Sequence, residues 1–163
     1  MLSYSYSFRP MTAADLPRVR RWLEAPHVSQ WWGDPHEQFA LLSADLHHPS
    51  MNQFIVAVDG NPFAYLLYYD PAAWPNHGFG AIADDARAID QFIGEPHFID
   101  RGHGSAFVSA FADQLLRAVA PRLLTDPNPT NARALRAYEK AGFRKQCPVQ
   151  TPDGGALLMV RDA

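Results

Sequence analysis

The chain has 163 residues, of which 47% are hydrophobic and 19% charged, and its formal net charge is −3. That length fits one domain, residues 1–163, with a core of its own, and the composition excludes disordered and fibrous classes. The longest apolar stretches, Phe54–Val58 and Phe63–Tyr69, are far shorter than the roughly 20 residues a membrane-spanning helix needs, so no span and no membrane partner are expected.

In chain order, Tyr4, Tyr6 and Phe8 alternate with serines, the period of a half-buried strand. Thr12-Ala-Ala-Asp15 then places an N-cap three residues ahead of an acid, and Leu16, Val19 and Leu23 follow at helical spacing, which predicts a helix to about Glu24. Ala25–Pro35, with two prolines, two adjacent tryptophans and a glycine, reads as a loop or broken helix before a second helical stretch, Pro35–Leu46. Gln53–Val58 and Phe63–Tyr69 are strand-like, and Asp59-Gly60-Asn61-Pro62 between them signals a hairpin. Residues 70–87 read as a long irregular connection, of the kind that is functional or mobile in a compact domain. A strand Ala88–Ile93, a turn through Arg101-Gly-His-Gly104, a helix from about Ser105 to Val119, a strand Arg122–Thr125 and a helix Asn131–Ala141 follow. Phe107, Val108, Phe111, Leu115 and Leu116 make the apolar stripe of a helix lying on a sheet. A terminal hairpin, Phe143–Val149 and Ala156–Val160, turns around Thr151-Pro-Asp-Gly-Gly155.

Charge is unevenly distributed. Between Trp22 and Asp100 there are eleven acids against the single base Arg87, whereas from Arg101 onward nine bases face five acids, so an anionic ligand suits the C-terminal part. No basic stripe with interleaved aromatics appears, and nucleic acid is not an expected partner. Met1–Arg9 lacks the basic and apolar regions of a secretory leader, which makes the cytoplasm the expected location. Cys147 has no second cysteine to pair with and reads as structural. His36, His47 and His48 have no carboxylate or cysteine at ligand spacing, so no metal is expected; His27 and His97 read as hydrogen-bonded structural residues, with contact to the acceptor pocket as the alternative.

Two elements suggest chemistry. In Ile99-Asp-Arg-Gly-His-Gly-Ser-Ala-Phe107, small residues between a strand and an amphipathic helix let backbone N–H groups approach a phosphate at a helix N-terminus. The spacing fits neither a nucleotide P-loop nor a dinucleotide turn. In Asn131-Ala-Arg-Ala-Leu-Arg-Ala-Tyr-Glu-Lys-Ala-Gly-Phe143, Asn131, Ala134 and Tyr138 fall on one helical face. Taken alone, the first element is more often only a turn, and the second reads as a core tyrosine with Gly142 as a helix C-cap.

Taken together and in this order, Arg101-Gly-x-Gly-Ser-Ala and Asn131-x-x-Ala-x-x-x-Tyr-x-x-x-Gly-Phe143 resemble the paired signature of the GNAT acetyltransferases. Trp22-Leu-x-x-x-His-Val-x-x-Trp-Trp-Gly33, Ala88-Ile-Asp-Gln-Phe-Ile-Gly94, Thr125-Asp-Pro-x-Pro-x-Asn131 and Thr151-Pro-Asp-Gly154 are in turn similar to aminoglycoside 6'-N-acetyltransferases. The resemblance implies an α/β GNAT fold: a central mixed, mostly antiparallel sheet with splayed middle strands, flanked by helices on both faces. It implies acetyl-CoA as cosubstrate, held by Arg101, Gly102, His103, Gly104, Ser105 and Asn131, with its pantetheine against the strand residues Phe92 and Ile93. Tyr138 would protonate the departing thiolate. Asp90 would meet the acceptor amine, Asp126 would lie beside it, and Trp31 and Trp32 would wall the acceptor pocket, although core packing explains the tryptophans equally well. Ile99 departs from the pattern, because many relatives have Gln or Arg there.

The implied reaction is direct attack of a primary amine of a small cationic acceptor on the thioester in a ternary complex. An ammonium near pKa ~10.4 facing an aspartate near ~3.9 makes proton transfer uphill by ~9 kcal/mol, so Asp90 acts with a raised pKa, through water, or by holding the amine. A siderophore-type hydroxylysine or polyamine acetyltransferase and a catalytically silent acyl-CoA sensor are the competing expectations. A monomer or a homodimer fits equally.

Overall fold

The computed structural model describes residues 3–163. Strand β1 (Tyr6–Pro10) leads through a single 3-10 turn (Ala13–Asp15) into α1 (Leu16–Glu24), α2 (Pro26–Trp32) and α3 (Pro35–Ala44). Strands β2 (Met51–Val58), β3 (Asn61–Tyr69) and β4 (Arg87–Ile93) follow, then α4 (His103–Ala118), β5 (Arg122–Thr125), α5 (Ala132–Lys140), β6 (Arg144–Thr151) and β7 (Gly154–Asp162). The strands form a seven-stranded sheet in the order β1-β2-β3-β4-β5-β7-β6. The β1/β2, β5/β7 and β6/β7 pairs are antiparallel and β4/β5 is parallel. This is the mixed, mostly antiparallel α/β architecture expected. The parallel ladder pairs Arg87 with Leu123 and Ala88 with Leu124, and β4 itself runs on to Ile93.

Backbone contacts divide the chain into two compact units, one built from the residues up to Leu67 with Gln91–Arg101, the other from Tyr68–Asp90 with Gly102–Ala163. In the first, the Thr12 N–H donates to the Asp15 carboxylate at 2.9 Å, and Arg9 pairs with the same carboxylate at 2.7 Å, so the predicted pairing of Thr12 with an acid three residues on is present, on the 3-10 turn that leads into α1. Ala25, extended at ψ 134°, separates α1 from α2, because a residue before proline avoids the helical region. The stretch expected as loop or broken helix is therefore a seven-residue helix of its own. The β1 strand starts at Tyr6 rather than Tyr4, since the Ser5 N–H is already taken by the Asp59 carboxylate at 2.9 Å. Asp59 and Gly60, at φ 49° and 84°, make the left-handed two-residue turn that matches the twist of a hairpin. Val19, Trp22, Leu23, Ile55, Val56, Phe63 and Tyr65 fill this unit's core, each such side chain stabilising the fold by about 1.5–3 kcal/mol.

The second unit packs the stripe Phe107, Val108, Phe111 and Leu115 of α4 into a core with Leu123, Leu124, Met159 and Val160; Leu116, expected on that stripe, is only half-buried. Helix α4 starts at His103, two residues earlier than predicted, because Gly102 takes the left-handed N-cap conformation at φ 82°. The connection 70–86 is irregular, as expected, but firmly seated. Phe79 is buried among Ala86, Ala88, Leu124, Leu158 and Val160, and its N–H donates to His77 Nδ1 at 2.8 Å. Gly78 at φ +84° lies so close to the terminal hairpin that a Cβ there would sit 1.9 Å from the Gln150 carbonyl oxygen. Cys147 is exposed on β6, beside a register shift between Lys145 and Cys147.

Candidate active site

The glycine turn is made by two left-handed residues, Asp100 at φ 61° and Gly102 at φ 82°, which swing the chain into the 16-residue helix α4. The first N–H groups of a helix have no partner in the helix itself and carry partial positive charge. At Gly102 a Cβ would meet nothing within 4 Å, so space is open at the helix start. Backbone donors and a left-handed glycine with open space around it suit a diphosphate. Arg101 is exposed, and the Ser105 hydroxyl donates to the Gly102 carbonyl at 3.3 Å. His103 is only 2% exposed. Its side chain belongs to the interior, and its backbone N–H is the part suited to an anion.

Asn131 is the N-cap of α5 rather than its first helical residue. Its side-chain oxygen accepts from the Ala134 N–H at 3.2 Å, which ties the amide to the helix start. Two turns on, Tyr138 is buried at 2% exposure, with its ring edge-on to Phe143 at 5.6 Å.

The end of β3, the middle of β4, the residue after β5 and the turn between β6 and β7 supply four interacting groups. Tyr69 is half-buried, and its hydroxyl is held well above the usual phenol range, first by burial and then by the negative charges of Asp126, Asp90 and Asp153. Asp126 is raised to about 7, chiefly by burial and secondarily by Asp153. The structure thus brings together Asp90 and Asp126, both singled out from sequence, and adds Tyr69 and Asp153. Asp153 lay within the quoted Thr151-Pro-Asp-Gly154 segment, whereas Tyr69 looked like the last member of an apolar run. A cluster of carboxylates of this kind disfavours anions and attracts an acceptor that carries ammonium groups.

This cluster has a pH consequence. Asp126 in the folded chain holds its proton up to about 7, whereas the unfolded chain loses it near 3.8. Stability therefore declines as pH rises from about 4 to about 7, and the full penalty persists above that. Asp126→Asn, which mimics the protonated group, is expected to melt above wild type by a margin that widens from pH 5 to pH 7 and is constant from pH 7.5 to 9; a margin independent of pH would refute the raised value.

In the first unit, Trp32 sets its edge against Tyr65 at 6.0 Å and against Phe92 at 5.0 Å, and Tyr65 stacks on Phe92 at 5.1 Å. Trp31 is half-buried on the same helix. His97 is exposed and lies against the Phe98 ring at 4.3 Å. Among the described residues, no three His, Cys, Asp or Glu side chains are grouped to hold a metal ion, and no helix is long and apolar enough to cross a membrane.

Residues 11–151 match the acetyltransferase (GNAT) domain. The chain belongs to the GNAT acetyltransferase family. It is 34% identical to aminoglycoside N(6')-acetyltransferase type 1 of Klebsiella pneumoniae over 96% of this chain and 83% of that protein. A solved aminoglycoside acetyltransferase, AAC(6')-Ib, in complex with paromomycin and acetyl-CoA superposes with a TM-score of 0.85 at 32% identity, over 97% of this chain and 93% of that one. The same enzyme with coenzyme A and kanamycin gives 0.84 at 32% identity, over 97% and 95%. As a GNAT enzyme, this protein is an acetyl-CoA-dependent N-acetyltransferase. The open left-handed glycine at the start of α4 fits the diphosphate of an acyl-CoA.

Proposed function

We propose that this GNAT acetyltransferase, a single domain over residues 1–163, moves an acetyl group from acetyl-CoA to the 6'-amine of an aminoglycoside, by direct transfer in a ternary complex. The observation that carries this reading is the acidic cluster of Asp90, Asp126 and Asp153 around Tyr69, which suits an acceptor bearing several ammonium groups. Two full-length relatives described above are aminoglycoside 6'-acetyltransferases, and that is the second support.

In this reading the backbone from Arg101 to Ser105 holds the diphosphate, Asn131 caps α5 beside the acetyl-CoA, and Phe92 and Ile93 offer strand backbone to the pantetheine. Asp90 holds the amine, with Trp31 and Trp32 as further acceptor contacts. Asp126, titrating at about 7, is where the amine's proton can go at lower cost: the mismatch with an ammonium at ~10.4 shrinks from ~6 units to ~3, or about 5 kcal/mol. A backbone N–H steadies the developing oxyanion and Tyr138 protonates the thiolate. Action in the cytoplasm, as monomer or homodimer, without nucleic-acid or membrane partners, completes the proposal.

The test is thiol release from acetyl-CoA across aminoglycosides, polyamines and hydroxylysine. Turnover with aminoglycosides bearing a 6'-amine, lost when that amine is replaced by hydroxyl, is the expected result. Turnover only with a polyamine or hydroxylysine would overturn the acceptor assignment and keep the donor.

A further inference from the structure

The motif Trp22-Leu-x-x-x-His-Val-x-x-Trp-Trp-Gly33 has a role beyond the acceptor wall suggested by resemblance, because three of its side chains converge on the end of β4. Trp22 packs face to backbone on Gly94, where a Cβ would lie 2.2 Å from two ring atoms. Trp32 meets the Phe92 ring edge-on at 5.0 Å. Between them in sequence, half-buried His27 of α2 places Nε2 2.9 Å from the carbonyl oxygen of Ile93. A carbonyl only accepts, so Nε2 is the donor and carries the hydrogen.

On the other side of the same peptide unit, the Gly94 N–H donates to the Phe63 carbonyl at 2.8 Å. The Ile93–Gly94 peptide is thus held at its oxygen by a side chain and at its nitrogen by β3. A strand end needs such anchoring where its ladder has stopped, and the β4/β5 ladder stops at Ala88. The imidazole substitutes for the missing neighbour at the Ile93 carbonyl.

We propose that His27 is a positioning residue for acyl transfer, whose Nε2–H, by holding the Ile93 carbonyl, fixes the end of β4 against which acetyl-CoA lies. The inference rests on the proposed contact of Phe92 and Ile93 with acetyl-CoA. Loss of the bond leaves a buried strand end one hydrogen bond short and free to shift, which disturbs the acyl donor and leaves the acceptor untouched.

The experiment compares His27→Gln, His27→Asn and His27→Ala with wild type, by calorimetric binding of acetyl-CoA and by KM for each substrate. Gln reaches the position of Nε2 with a donor; Asn is polar but too short. Asn and Ala are expected to weaken acetyl-CoA binding about tenfold and raise its KM in step, while the acceptor KM stays within about twofold and Gln recovers to within about threefold of wild type. Should Ala fail to fold, the contrast between Gln and Asn decides. Wild-type affinity in Asn, a Gln variant as weak as Asn, or equal rises in both KM values would overturn the proposal. Wild-type enzyme that binds acetyl-CoA but acetylates no aminoglycoside would instead sink the acceptor reading, and the binding contrast would still judge His27.

Discussion

Tyr138→Phe is expected to lower kcat by about 10²–10³-fold while acetyl-CoA binds with wild-type affinity. The ring is only 2% exposed and lies edge-on to Phe143, and phenylalanine keeps both the packing and the shape. What disappears is the hydroxyl. A hydroxyl held at the departing thiolate acts as a positioned general acid, which phenylalanine cannot replace. Single-turnover acetyl transfer, together with calorimetric titration of acetyl-CoA, separates chemistry from binding. An unchanged rate of the chemical step would remove Tyr138 as the acid, and a parallel loss of affinity would make it a binding residue.

Gly94→Ala is expected to destabilise the fold by about 3 kcal/mol, the upper end of overpacking costs, which for a domain of this size lowers Tm by roughly 6–12 °C. The added carbon would sit 2.2 Å from Cγ and Cδ2 of Trp22. That ring has nowhere to retreat: it is 1% exposed, edge-on to Phe92 at 6.3 Å, and its Nε1 donates to Glu95 at 3.4 Å. Gly94 also sits directly after the Ile93 carbonyl held by His27, so acetyl-CoA affinity should fall with Tm. Gly60→Ala is the control, since nothing lies within 4 Å of its Cβ position and only its left-handed φ of 84° is strained. A Gly94→Ala melting point no lower than the control's would contradict the close approach.

The two substitutions probe different kinds of information in the chain. Short-range signals could be read from sequence because their physics is local. An acid three residues after Thr12, a glycine that takes φ 82° before α4, the Asp59-Gly60 turn and the stripe from Phe107 to Leu115 each depend on a few neighbouring residues. They were sufficient for the element order, and the resemblance of the paired Arg101–Ala106 and Asn131–Phe143 patterns to the GNAT signature pointed to the α/β fold and the acyl donor. Errors fell where a neighbour distant in sequence intervened, as at Ser5, whose N–H is claimed by Asp59, or where a glycine conformation moved a helix start, as at His103.

The acidic cluster was beyond such reading. Asp90 and Asp126 entered by resemblance, but Tyr69 and Asp153 join them only because separate strands and a terminal turn converge, and burial is what raises Asp126 to about 7. Likewise Trp22, His27 and Trp32 have the spacing of ordinary helical residues. Their convergence on Phe92, Ile93 and Gly94 exists only once β4 has been laid down more than sixty residues later in the chain. Local propensity and patterning therefore determined the elements, and the resemblance of the paired motifs determined the family. Tertiary structure decided the protonation of Asp126 and the anchoring of the strand end, because both depend on desolvation and contacts between segments far apart in sequence.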